Sequence, residues 1–136
     1  MAEKTFKLEI VTPERIVMQH EAVSVVAPGS EGSLGILANH APLMAELTVG
    51  ELQIRDQSGS MDRLAISGGF MEVRDNTVRI LADTAEKPEE IDIHRAQEAV
   101  ARAKERLSAS EMGMDMVRAE AALKRALNRL RVAQGY

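Results

Sequence analysis

The chain has 136 residues, 45% of them hydrophobic but only 2% aromatic, and a formal net charge of −4. That length suits one compact domain or two very small ones with an aliphatic core, and the acidic balance argues against a general nucleic-acid binder. The chain has no Cys, which excludes disulfides, thiolate metal sites and Cys nucleophiles and suits a cytoplasmic protein; no signal segment and no apolar run near the ~20 residues of a membrane helix are present, so membrane association is expected only through a partner.

The first two thirds read as short strands. Residues 6–11 (Phe-Lys-Leu-Glu-Ile-Val) alternate apolar and polar, the period of a half-buried strand. Thr12-Pro13-Glu14-Arg15 breaks it, and strand-like pieces follow at 16–18, 23–26 and 34–37, with a turn cluster at 28–33. Further pieces are expected at 43–47, 51–55, 64–67, 70–73 and 78–82, with hairpin turns at 57–60 and 74–77. Many short strands at this spacing predict a sandwich or flattened barrel.

The period changes after Lys87-Pro88, since proline disfavours helical geometry in the residue before it. Asp92 is a suitable helix N-cap, with Ile91 just outside it to pack on the first turn. Ile93, Ala96, Val100, Ala103 and Leu107 then recur at spacings of three and four. Residues 108–113 interrupt, Asp115 is a second candidate cap, and Met116, Ala119, Leu123, Ala126, Leu130 and Ala133 repeat the pattern. These stripes predict an antiparallel helical hairpin over 87–136, behind a β-domain over 1–86. The stripes are narrow and Ala-rich, so the helices approach closely but are marginal alone.

No catalytic constellation emerges. His20, His40 and His94 have no second His at helical spacing, so structural or solvent-exposed roles outrank metal ligation. Ser67-Gly68-Gly69 is not a nucleophile elbow, and no phosphate-binding glycine loop follows a strand. Charge is uneven: residues 116–136 hold Arg118, Lys124, Arg125, Arg129 and Arg131 against Glu120 alone. Arg125 and Arg129 share a helix face, and in an antiparallel hairpin Arg95 falls near them. Three guanidiniums suit phosphate or carboxylate oxygens; ion pairing with Asp92, Glu98 and Glu120 is the competing reading.

Three segments together resemble a known family. Gly32-Ser33-Leu34-Gly35-Ile36-Leu37-Ala38-Asn39-His40-Ala41-Pro42-Leu43, Ser67-Gly68-Gly69-Phe70-Met71-Glu72-Val73 and 121–130 (AALKRALNRL) resemble, in order, the signatures of the ε subunit of bacterial F-type ATP synthase. The resemblance implies an α+β, two-part fold: a flattened β-sandwich of about ten strands, then a C-terminal helical hairpin. It implies a non-catalytic place in the central stalk of the rotor, on the cytoplasmic face of the bacterial plasma membrane as part of the F1 sector. The β-domain would bind the γ subunit and the c-ring, coupling ion-driven c-ring rotation to catalysis in the α/β head. The hairpin would lie folded or extend along γ into the head, where it opposes ATP hydrolysis. Ile91-Asp92-Ile93-His94-Arg95-Ala96 fits the pattern of members that bind ATP, which points to Ile91, Asp92, Arg95 and Ala96, with Arg125 and Arg129 on the second helix and Glu86 just before the hairpin. No cofactor is required; regulatory ATP, with or without Mg²⁺, is what the pattern implies. The alternative is a free-standing nucleotide-responsive module, which would have no use for the segments at 32–43 and 67–73.

Overall fold

The computed structural model describes residues 3–109 and 116–135. Two compact units divide the chain, Met1–Glu86 and Lys87–Tyr136. The first is built from eight strands: β1 (Phe6–Val11), β2 (Ile16–Ala22), β3 (Ser24–Gly29), β4 (Gly32–Leu37), β5 (Leu43–Arg55), β6 (Met61–Arg74), β7 (Thr77–Ala82) and β8 (Ala85–Glu86). They hydrogen-bond in the order β2-β1-β7-β6-β5-β3-β4, with β8 also on β6. All pairings are antiparallel except β1 with β7.

Eight strands stand where the resemblance implied about ten: of the nine pieces read from the sequence, those at 43–47 and 51–55 are one strand of 13 residues and those at 64–67 and 70–73 one of 14, while the short β8 has no counterpart among the nine. These long strands pair from Leu43↔Val73 to Arg55↔Met61 and change neighbours midway. Residues 69–74 of β6 pair with β7, whereas Ala65 and Ile66 pair with β8. On β5, residues 53–55 pair with β3. The sheet therefore folds over on itself near residues 47–49 and 67–69, and its two halves share one core.

That core is aliphatic, as composition demands. Phe6, Leu8 and Ile10 of β1, Val78 and Ile80 of β7, and Met71 and Val73 of β6 meet Val25, Ile36, Leu52, Ile54, Leu64 and Ile66 from the other half. Each such side chain removed from water contributes roughly 1.5–3 kcal/mol before entropy is counted. Gly69 makes the fold-over possible. It sits at φ +131°, and a Cβ there would overlap the carbonyl oxygen of Leu81 on the neighbouring strand. A side chain at 69 would push β7 off the sheet.

The turns follow local chemistry. Asp75 and Asn76 lie at φ +52° and +55° between the paired residues Arg74 and Thr77, the left-handed pair that a two-residue hairpin requires. The expected turn cluster at 28–33 is tighter than read: Pro28 and Gly29 belong to β3, and Gly29 pairs with Gly32 across Ser30-Glu31. At the β5–β6 turn, Asp56 Oδ1 accepts from the Ser58 N–H (2.9 Å), the Ser58 hydroxyl (2.6 Å) and the Ser60 N–H (3.1 Å). The Ser58 hydroxyl is the main reason this carboxyl lies below its ordinary pKa.

The second unit holds a one-turn 3-10 helix (Pro88–Glu90), α1 (Ile93–Ala109) and α2 (Met116–Gln134). The helices α1 and α2 pack on each other, and the 3-10 turn touches α2. The expected cap at Asp115 and the connection at 110–115 fall outside the described residues. Among those described, no helix is long and apolar enough to cross a membrane.

Candidate functional site

The entry to the hairpin is tied by short-range bonds. The Lys87 N–H donates to Glu90 Oε1 (2.9 Å), and the Ile91 N–H closes the turn on the Pro88 carbonyl (3.2 Å). Asp92 then starts α1 as its sequence position predicts: its Oδ1 accepts from the Arg95 N–H (3.1 Å), and its carbonyl accepts from the Ala96 N–H (3.0 Å).

Small residues set the helix contact. Ala96 and Ala103 on α1, and Ala119 and Ala126 on α2, are buried seven residues apart on each helix. Val100, Leu107 and Leu123 flank them half-buried. Two members of the predicted stripes do not join: Ile93 is 39% exposed and Met116 38%. Each is the first residue of its helix, and helical side chains tilt towards the N-terminus, so these two overhang the paired turns. The stripe also missed Asn128 and Val132, which are buried on the opposite face of α2. Asn128 stands between Leu127 and Arg129, and an Asn by its type carries no sequence signal of burial.

The seven residues singled out for nucleotide fall into three groups. Ile91 and Ala96 are buried, at 7% and 0% exposure, so they shape the hairpin and offer no open apolar floor. Asp92, Arg95 and Arg125 are exposed, and Arg129 is half-buried and engaged by a neighbour. Glu86 belongs to the first unit, half-buried on β8 opposite Ala65. Antiparallel packing sets the first turn of α1, with Arg95, towards the C-terminal part of α2, where Arg129 lies; Arg125 is at the middle of that helix.

Two of the three acidic groups weighed as partners make other bonds. Asp92 is committed to the cap, and Glu98 accepts from His94 Nε2 at 2.9 Å. Among the described residues, no ion pair involves the guanidinium of Arg95 or Arg125. The first turn of α1 contains no acidic residue. The start of α1 thus carries both the Asp92 carboxylate and the exposed Arg95, while Arg125 is exposed on α2. The other two histidines are held locally, His20 by the Glu21 carbonyl (2.8 Å) and His40 by the Ala41 carbonyl (2.6 Å). No group of three metal-ligating side chains occurs among the described residues.

Such a molecule is a β-sandwich with an appended helical hairpin. Two family models cover nearly all of it, the β-sandwich domain of the ATP synthase Delta/Epsilon chain at residues 5–88 and its long α-helix domain at 89–134. The chain is 52% identical to the ATP synthase epsilon chain of Syntrophomonas wolfei, covering 98% of both chains. It is 50% identical to that of Moorella thermoacetica, covering 95% of this chain and 96% of the relative. In structure it is similar to a chain of the Euglena gracilis mitochondrial ATP synthase, in an assembly of OSCP, F1 and c-ring. There the TM-score is 0.81 at 25% identity, over 94% of this chain and 81% of that one. A chain of the Tetrahymena thermophila central stalk and c-ring shares the fold, with a TM-score of 0.61 at 20% identity over 99% and 98% of the two chains. The chain belongs to the ATP synthase epsilon chain family. It has a non-catalytic rotor and regulatory role in an F-type ATP synthase, works with F1 and c-ring components, and is peripheral to the membrane through that complex.

Proposed function

We propose that the β unit docks this subunit to γ and the c-ring on the cytoplasmic face of the membrane, and that the hairpin is a nucleotide-gated brake. Closed, the hairpin binds ATP through Arg95 and Arg125, with Arg129 beside them and Asp92 and Ala96 holding the start of α1. Open, it extends along γ to the α/β head and opposes hydrolysis. The observation that carries this reading is the pair of exposed arginines, Arg95 and Arg125, which make no ion pair among the described residues. Val117 and Leu127 also face solvent on α2, at 75% and 41% exposure, as expected of a helix with a second seat. Ligand bound only to the closed form at a hundred times its Kd adds about 2.7 kcal/mol to that form.

Titration of the isolated protein with ATP, with and without Mg²⁺, tests the site. Arg125→Ala is expected to weaken binding about tenfold or more, the worth of a charge-assisted contact, while Arg102→Ala on the exposed face leaves it unchanged. No binding of wild type at millimolar ATP would return these arginines to head-contact or ion-pairing roles. Truncation after Pro88 is expected to leave assembly intact and to raise ATP hydrolysis by the complex.

A further inference from the structure

We draw no further inference here: the strongest candidate, the surface patch of exposed apolar side chains Ile16, Leu81, Phe70 and Met44 on β2, β7, β6 and β5, carries none because nothing in the structure shows what covers it.

Discussion

Replacing Ala103 with leucine tests whether the alanine stripe sets how the hairpin closes. Ala103 is 2% exposed in the middle of α1, well clear of the arginines at its start. The substitution adds three heavy atoms where no space remains. Overpacking of this kind costs typically ~1–3 kcal/mol, and 1.4 kcal/mol is about tenfold in an equilibrium. The closed hairpin is therefore expected to lose roughly five- to 150-fold of its population advantage over open forms. Amide hydrogen exchange along α1 and α2 reads this directly, while the amides of β1 and β7 report whether the first unit is undisturbed. Ala101→Leu adds the same atoms on the exposed face of α1 and is expected to change protection by less than about 0.5 kcal/mol. If Ala103→Leu left helix protection unchanged, close alanine packing would not be what holds the helices together, and the stripe would have to be explained by helix propensity alone.

Three other outcomes follow from particular bonds. Asp92→Ala is expected to lower the stability of α1 by about 1 kcal/mol and Asp92→Asn by much less, because Asn also caps; circular dichroism of the thermal transition compares them. Gly69→Ala is expected to cost upwards of ~2 kcal/mol, through the positive φ and the overlap with Leu81; a melting temperature within a degree of wild type would contradict the fold-over geometry. Stability is expected to fall with acid. The folded-state pKa values of Asp56, held by Ser58, and Glu3, held by the Arg55 guanidinium, lie below their ordinary values. Their contribution is present above the unfolded pKa and disappears as pH drops through the folded one. Glu3 is exposed and Asp56 half-buried at a surface turn, so the effect is small, and Asp56→Asn, which keeps the acceptor, should flatten the melting-temperature profile between about pH 5 and 3.

Much of the architecture could be read from periodicity. Alternation at 6–11 marked β1, the change of period after Pro88 marked the hairpin, and Asp92 announced its own role as a cap. These are local rules, each set by a few neighbouring residues. The Arg74-Asp75-Asn76-Thr77 turn belongs with them, because left-handed Asp-Asn pairs suit a tight hairpin. The count of strands did not follow so easily. Gly68 and Gly69 look like a break to any local reading, and a break and a bend use the same residue. Only pairing with β5 and β7, far along the chain, decides for a bend.

The candidate site divides in the same way. Residue types and spacing picked out Asp92, Arg95 and Arg125, and family resemblance supplied their chemical meaning. That Asp92 caps α1 and Glu98 meets His94, while Arg95 and Arg125 make no ion pair among the described residues, is visible only in the structure. Ile93 is more open than its stripe implied because a helix end overhangs its partner, and Asn128 is buried away from that stripe. The side-chain bonds of Asn76 to the Thr5 carbonyl and the Asn39 N–H gave no local sign, since these partners lie 71 and 37 residues away. Sequence alone determined the elements, their order and the kind of chemistry each could support, because those depend on backbone preference and side-chain type. Tertiary structure alone decided which strands are continuous, which side chains are covered and which polar groups are already satisfied, because these depend on residues brought together from distant parts of the chain.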